Sequence, residues 1–303
     1  MTEPAGRVPE RYADVYDGYA RALQEDTGLD TATRRAYGSR IRSYLTFLDS
    51  AGAEGPDPLA DPDGRDRAAQ AYLGDLAHRR LAASTVNAHL TAVDHLYAHL
   101  GLGPVRVERG QLPQRPPRTL DAKQQVRYQR AAQEWPQARD RAIFLLLLHS
   151  GVRPSELVAL DVEDVRLPPE ECLVIVRDGQ SRKIPLTDTS AQEAMMQWKA
   201  ERAGRPGARA ASAFFLNRFG GRLSTTAVRN LLGDLARRAE LTGDDGRPVA
   251  SAQTLRATFA ANQLGDDADT LTVTRLRTVA RQLGHTRLDT TLKLAASSAS
   301  GPQ

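Results

Sequence analysis

The chain has little cysteine and no long apolar segment. Its 303 residues include one cysteine, Cys172, which excludes an intramolecular disulfide and a metal site built from several thiolates, and which suits a reducing compartment. No run approaches the roughly 20 apolar residues that span a bilayer, and the first residues, MTEPAGRVPERY, contain no apolar signal-peptide core. We therefore expect a cytoplasmic protein that has no membrane partner.

Tyrosine is confined to the first 128 residues, and lysine is scarce. The last of the eight tyrosines is Tyr128, and four lysines accompany 37 arginines. Residues 1–118 carry 15 basic and 16 acidic side chains, so the remaining 26 basic and 21 acidic side chains give residues 119–303 a net charge of +5. The arginine bias is as consistent with genome composition as with function, but its distribution favours a polyanion as the partner of the second half.

Apolar spacing predicts a bundle of four helices in a first domain, residues 1–104. A stretch rich in proline and arginine, VRVERGQLPQRPPRTL, has no helical periodicity and predicts a linker over residues 105–120. The predicted helices of the first domain cover residues 10–27, 31–52, 67–80 and 84–101.

Residues 121–303 are predicted to form a second domain that is mainly helical with a small antiparallel sheet. The run CLVIVRDGQSRKIPL indicates two strands joined by a turn at Asp178–Gly179. The fold class is thus mainly α, with a minor β component. The predicted helices of the second domain cover residues 122–135, 139–151, 188–202, 224–239, 255–264 and 270–283.

The order of the segments resembles that of the tyrosine recombinases, also called phage integrases. A helical bundle and a linker are followed by HSGVRPSELVALDVEDV, by the strand pair, by QTLRATFAANQL and by QLGHTRLDTTLKL. The resemblance runs from about Glu10 to Leu294. It implies a core-binding, SAM-like first domain and a catalytic-type second domain that together clasp duplex DNA, and it implies no metal or other cofactor.

Three positions of the family's catalytic set are retained. The resemblance makes Arg153, in SGVRPSEL, the first arginine that grips the scissile phosphate, and Arg256 the second; His285 completes the retained set. Such groups stabilise charge on a phosphorane-like transition state. The structural alternatives are a surface arginine at a helix end and a histidine that caps a helix.

Three other positions of that set are altered. Counting back from Pro185 puts Arg177 where the family has a general-acid lysine, and arginine releases a proton poorly because its pKa exceeds about 12. Lys183 is an alternative if the strand register is shifted to bring it inward. Gln253 stands at the position of a histidine and cannot exchange a proton as imidazole does. Leu294, nine residues after His285, stands at the position of the nucleophilic tyrosine.

The change at the nucleophile outweighs the others, because leucine has no atom that can attack a phosphate. We expect a DNA-binding member of the family that does not cleave DNA and that acts in, or regulates, recombination or integration. The alternatives are strand transfer with a tyrosine from a partner subunit or with a hydroxyl of Thr290, Thr291 or Ser297, and an interaction protein that has lost DNA binding.

Duplex DNA is the expected partner, together with an active recombinase or further copies of this chain. Basic and hydroxyl side chains of the first domain, and one arginine near the end of the second, are candidate contacts to phosphates or base edges. These candidates are Arg34, Arg35, Arg40, Arg42, Ser84, Thr85, Asn87 and Arg287.

Overall fold

The computed structural model divides the chain into two compact units, Met1–Gln114 and Arg115–Gln303, called unit 1 and unit 2 below. The turn predicted at 178–179 and residues 112–117 of the predicted linker lie outside the described residues. The structure describes residues 7–29, 31–51, 55–111, 118–168, 171–177, 181–205, 207–265, 272–285 and 287–295. Of residues 293–295 it describes the backbone only.

The described part of unit 1 contains four α-helices, as the apolar spacing predicts. A short 3-10 turn, Glu10–Tyr12, precedes them. Their apolar faces enclose one core, to which each helix contributes. The helices are α1 (Ala13–Glu25), α2 (Thr31–Ala51), α3 (Pro62–His78) and α4 (Ala83–His99).

Helix α3 begins five residues earlier than its apolar spacing indicates. The side chain of Asp61 accepts hydrogen bonds from the backbone N–H groups of Asp63 and Gly64, both at 2.9 Å, and Pro62 occupies the first helical position. Aspartate before proline is a strong helix start. The start predicted at residue 67 was wrong because it rested on apolar spacing and ignored this cap.

Tyrosine hydroxyls inside unit 1 find partners among one another and among histidines. Tyr44 and Tyr97 share a hydrogen bond of 2.5 Å, and the hydroxyl of Tyr72 lies 2.8 Å from Nδ1 of His89. All three tyrosines are fully buried. A buried hydroxyl without a partner would cost stability, so these pairs allow large aromatic side chains to fill the core.

Unit 2 is mainly helical, with one small sheet within its described residues, which confirms the predicted fold class. A 3-10 turn, Val162–Asp164, separates α7 from the sheet. The helices are α5 (Ala122–Gln133), α6 (Ala138–Ser150), α7 (Pro154–Ala159), α8 (Thr189–Ala203), α9 (Thr225–Arg238), α10 (Ala252–Leu264), α11 (Val273–Leu283) and α12 (Leu288–Ala295); the strands are β1 (Val165–Arg166), β2 (Leu173–Val176) and β3 (Arg182–Pro185).

The strands pair antiparallel in the order β1-β2-β3. In this register Lys183 lies opposite Ile175, and Arg182 lies opposite Val176. Side chains alternate between the faces of a strand, and β3 buries Arg182 and Ile184 while it exposes Lys183. The alternative register that would bring Lys183 inward is therefore wrong, because it would expose an isoleucine and an arginine that the core and the site hold.

Helix α6 crosses the centre of unit 2 and buries residues on every side, including Phe144 and the four leucines that follow it. It ends at Gly151, whose φ is +63°. A Cβ at this glycine would stand 2.6 Å from a ring carbon of Phe259, so both conformation and space require glycine. The turn at Gly151 leads the chain from α6 to Arg153. Across the described residues of both units, no helix is long and apolar enough to cross a membrane.

Candidate phosphate-binding site

Arg153 lies at the start of α7, where a buried carboxylate holds it. Glu156 accepts hydrogen bonds from the backbone N–H of Arg153 at 2.7 Å and from its guanidinium at 2.6 Å. The Glu156 side chain is 1% exposed, whereas that of Arg153 is 39% exposed. Glu156 therefore fixes the base of the arginine while part of its guanidinium stays open to solvent.

Arg182, on β3, contacts the same carboxylate oxygen as the Arg153 guanidinium. Its guanidinium lies 2.9 Å from Glu156, and its Nε donates to the carbonyl of Gln282 at 2.8 Å. Gly284 packs so closely on it that a Cβ there would lie 2.9 Å from the guanidinium. The sequence did not lead us to predict Arg182 as a site residue. A polar residue at an inward position of an alternating strand is a signal that could have indicated it.

Arg256, on α10, binds the carbonyl ends of two helices. It donates to the carbonyl of Gly151 at 2.6 Å, just after α6, and to that of Leu283 at the end of α11. The carbonyl end of a helix carries partial negative charge and attracts a cation. Burial, followed by the neighbouring charge of Arg153, lowers the pKa of Arg256 to about 10, so it stays protonated at neutral pH.

His285 connects Arg256 to α12. Its Nε2 lies 3.1 Å from a nitrogen of Arg256, and its Nδ1 lies 2.9 Å from the hydroxyl of Thr291, which is fully buried. Because arginine can only donate, Nε2 accepts and the proton of the neutral ring sits on Nδ1. Burial and then the charge of Arg256 lower the pKa of His285 to about 4, so the ring is neutral near pH 7.

Positive charge exceeds negative charge in this cluster. Three guanidinium groups, those of Arg153, Arg182 and Arg256, meet one carboxylate, that of Glu156. Burial by itself would raise the pKa of Glu156, but hydrogen bonds from the Arg153 backbone and from Arg182 outweigh it and hold that pKa below the ordinary value. The ionised cluster therefore carries a surplus of two positive charges, which suits a phosphate diester or another anion.

The altered family positions do not all join this cluster. Arg177, just after β2, pairs with Asp164 at 2.6 Å and with Glu163 at 3.2 Å. Gln253 is exposed on the first turn of α10, one turn before Arg256. Arg153, Arg256 and His285 lie in one cluster together with Arg182, whereas Arg177, which was expected to bind the same phosphate, lies outside it.

The candidates of unit 1 divide into engaged and accessible groups. Arg34 donates to the carbonyl of Asp26 at 2.6 Å, and Arg42 donates to the Tyr16 hydroxyl at 2.6 Å. Asn87 donates to the carbonyl of Gly110 at 2.9 Å. These contacts orient their side chains within unit 1 and leave fewer donors for a ligand.

The remaining candidates are more accessible. Arg35, Ser84 and Thr85 are exposed, and Arg40 is half-buried in an open groove between α2 and α4 with a volume of about 470 Å³. In unit 2, Arg287 is exposed and lies 3.4 Å from Asp289. A polyanion can thus contact Arg35, Arg40 and the start of α4 and leave the hydrogen bond of Arg34 intact.

Two models of protein families match the chain. Residues 118–299 match the phage integrase family, and residues 16–101 match its N-terminal SAM-like domain. The tyrosine recombinase XerC of Roseiflexus castenholzii is 30% identical over 287 residues, which cover 91% of this chain and 86% of the relative. The chain belongs to the tyrosine recombinase family. XerD of Mycobacterium tuberculosis, also a tyrosine recombinase, is 29% identical over 293 residues, 90% of each protein.

Solved recombinase structures share the fold. The XerH site-specific recombinase in its pre-cleavage complex with the difH substrate superposes with a TM-score of 0.71 at 14% identity, over 99% of both chains. A lambda integrase dimer bound to a core site gives a TM-score of 0.65 at 15% identity, over 96% and 97%. At these identities the likeness concerns the fold of a tyrosine recombinase.

Leu294, which the family resemblance assigns to the position of the nucleophile, lies on α12. Thr291, one turn earlier, faces His285, so this helix remains attached to the cluster. Among the described residues, no group of three or more histidine, cysteine or carboxylate side chains is placed to hold a metal ion. The arrangement offers anion binding by fixed guanidinium groups.

Proposed function

We propose that this tyrosine recombinase relative binds duplex DNA without cleaving it and acts in, or regulates, site-specific recombination or integration. One observation carries the proposal: Leu294 stands nine residues after His285, while the cluster of Arg153, Arg256 and His285 is intact. The groups that would hold a phosphate are assembled, and the position of the attacking oxygen carries a hydrocarbon. Under this proposal the chain still binds a DNA phosphate but does not cleave the strand.

The other altered positions support the same function. A general acid must release a proton to the leaving oxygen, and Arg177 is a poor one because Asp164 raises its already high pKa. Gln253 can donate a hydrogen bond to a phosphate oxygen but cannot carry a proton between groups. Both substitutions preserve anion binding and weaken acid–base catalysis.

Thr291 is a poor substitute for the missing nucleophile. Its side chain is fully buried, and the His285 nitrogen that faces it already carries the ring proton. That nitrogen cannot act as the base that an aliphatic alcohol needs. Thr290 is exposed, and Ser297 lies outside the described residues. The geometry at Thr291 therefore favours the noncatalytic reading over attack by that hydroxyl.

The surplus charge of the cluster determines what the DNA contact should look like. Phosphate contacts release counterions, so the logarithm of the binding constant falls with the logarithm of salt concentration by about one for each phosphate neutralised. Such contacts add affinity without reading sequence. We therefore infer that the cluster of unit 2 anchors the backbone, and that Ser84, Thr85 and Arg40 of unit 1 contribute hydrogen bonds to base edges.

The experiment that tests the proposal starts from the purified full chain and fragmented DNA from its source. Bound fragments are recovered and sequenced, and each sample is denatured in SDS to reveal covalent protein–DNA complexes. Enrichment of particular fragments without SDS-resistant complexes is the expected result. Resistant complexes from the unaltered chain would overturn the noncatalytic reading and favour an unconventional hydroxyl.

Two variants serve as matched controls for the absence of chemistry. In a background with Arg177→Lys and Gln253→His, Leu294→Tyr supplies the nucleophile and Leu294→Phe supplies the same ring without its hydroxyl. We expect resistant complexes from the tyrosine variant alone. A complete recombinase added to the reaction tests the other alternative, a tyrosine supplied by a partner subunit. If that tyrosine transfers radiolabelled DNA to the site bound by this chain, the mixed assembly carries out strand transfer.

A further inference from the structure

A loop before α9, Asn217–Gly221, presents an aromatic side chain that its own unit leaves uncovered. Phe219 is 78% exposed, the largest exposure among the large apolar side chains described. The other exposed apolar side chains of this kind lie on helices, whereas Phe219 stands at the tip of a loop. The ring is therefore accessible to a partner.

The loop that carries Phe219 is held rigidly. The side chain of Asn217 accepts hydrogen bonds from the backbone N–H of Phe219 at 2.8 Å and from that of Gly221 at 3.1 Å. The backbone N–H of Asn217 donates to the carbonyl of Gly221 at 2.7 Å, and Gly220 takes the left-handed conformation with a φ of +81°. The backbone that carries the ring is therefore held in one conformation and would lose little conformational entropy on binding.

A guanidinium group lies against the ring. The guanidinium of Arg218 lies 4.6 Å from the ring centre of Phe219. Between Glu201 and Asp234 the sequence contains six arginines and no acidic residue. Helix α9 begins at Thr225, four residues after the loop, and is capped by Ser224, so the positive end of the helix follows the loop in the chain. A partner that matches this surface must combine negative charge with flat apolar faces, and DNA has both in its phosphates and bases.

The loop is also tied to the helix that carries Arg153. Arg222, next to the loop, donates to the carbonyl of Val158 at 2.8 Å and pairs with Asp161 at 2.6 Å, both near the end of α7. Helix α7 has six residues and is about 9 Å long, which equals the rise of about three base pairs. Arg153 and the loop therefore lie near opposite ends of the same short helix.

We propose that the Asn217–Gly221 loop is a second DNA contact, in which Arg218 binds a phosphate and Phe219 lies against a base step and unstacks it. The proposal rests on the proposed DNA-binding function and deepens it, because it assigns to this loop an apolar contact that phosphate binding alone does not supply. Apolar wedges of this kind deform a duplex locally, so the loop would favour sequences whose steps unstack easily.

The test uses the full chain and a fluorescein-labelled duplex of random sequence, with affinity measured by anisotropy over a range of salt concentrations. Phe219→Ala should weaken binding about 5- to 100-fold and leave the salt slope unchanged, because the contact is apolar. Arg218→Ala should lower the salt slope by about one. Val126→Ala is the matched control, since Val126 is 68% exposed on α5 of the same unit and should change neither quantity.

A second readout reports base unstacking directly. In a duplex with 2-aminopurine in place of every adenine of one strand, the unaltered chain should raise the fluorescence on binding, and Phe219→Ala should not. Equal affinity and equal fluorescence in the two proteins would overturn the loop proposal while DNA binding stands. A change in sedimentation of the DNA-free protein on Phe219→Ala would overturn it in favour of a protein partner. Failure of the unaltered chain to bind any duplex would instead overturn the proposed function.

Discussion

The two units bury polar groups in different ways. Unit 1 buries tyrosine hydroxyls and neutral histidines, as in the Tyr44–Tyr97 and Tyr72–His89 pairs. Unit 2 gathers guanidinium groups around one carboxylate, Glu156, on the side of its core that opens to solvent. Seven of the eight tyrosines belong to the first unit, and both tryptophans belong to the second.

The difference separates groups that serve folding from groups that await a ligand. The pairs of unit 1 are complete, because each hydroxyl finds a partner of matching capacity and no net charge is buried. The cluster of unit 2 holds three cations for one anion, an arrangement that costs stability unless an anion completes it. Imbalance of charge around one carboxylate, rather than the number of arginines, marks the candidate site.

The largest effect is expected at the carboxylate of the cluster. Glu156→Gln removes the anion shared by Arg153 and Arg182, and breaking a buried charge pair in this way costs about 3–5 kcal/mol. We expect the free energy of unfolding of unit 2 to fall by that amount, as measured by denaturant titration with tryptophan fluorescence, because both tryptophans lie in this unit. Asp66→Asn, at the balanced Arg65–Asp66 pair of unit 1, is the control and should leave the tryptophan transition in place.

A smaller effect is expected on DNA affinity when a cluster arginine is removed. Arg153→Ala should weaken binding by about 1.5–3 kcal/mol, the range for a hydrogen bond to a charged group, and should lower the salt slope by about one. Arg34→Ala, in unit 1, removes a guanidinium that is bound to the Asp26 carbonyl and should change affinity less. Equal losses in an anisotropy titration would break the distinction between engaged and ligand-binding arginines.

The pH dependence of stability should share one direction in both units. Burial lowers the pKa of His285 and of His89 to about 4, from 6.5, and it also lowers that of His149. The unfolded chain then binds more protons between about pH 6.5 and pH 4, so the free energy of unfolding falls as pH decreases through that window. His285→Asn should reduce this dependence in the tryptophan signal of unit 2, and His89→Asn should reduce it in the tyrosine circular dichroism of unit 1. A dependence unchanged in both variants would contradict the assignment.

The smallest effect is expected at a neutral pair. Tyr44→Phe removes one hydroxyl and leaves that of Tyr97 without its partner, at a cost of about 1–3 kcal/mol. Thermal unfolding followed by tyrosine circular dichroism should detect the loss, while DNA affinity stays unchanged. A loss as large as that from Glu156→Gln would show that the neutral network of unit 1 is as demanding as the charged cluster.

The sequence predicted the long helices well and the short elements poorly. Helices such as α2 and α6 have several turns, so their apolar spacing or length is evident. Helix α7 has six residues and β1 has two, too few to display a period, and contacts made far along the chain stabilise them. The start of α3 was misplaced because one capping aspartate, Asp61, outweighed the apolar spacing.

The candidate site shows a similar limit. Family resemblance located Arg153, Arg256 and His285, whose contacts span up to 105 residues of sequence. It did not locate Arg182, because the role of this residue depends on strand register and on Gly284 from a distant turn. It also grouped Arg177 with the cluster, whereas local pairing with Asp164 directs its guanidinium elsewhere. Strand register and local ion pairing decide which arginine joins the cluster, and a sequence motif shows neither.

The contacts of Arg256 bear on how inactive relatives are identified. Its guanidinium joins the ends of α6 and α11 through the carbonyls of Gly151 and Leu283, so its loss would separate two helices whether or not DNA is ever cut. An arginine that joins two helices in this way contributes to the fold as well as to anion binding. The presence of Arg256 is therefore explained by the fold alone, and under the proposed function the residue at position 294 decides whether the chain can cleave DNA.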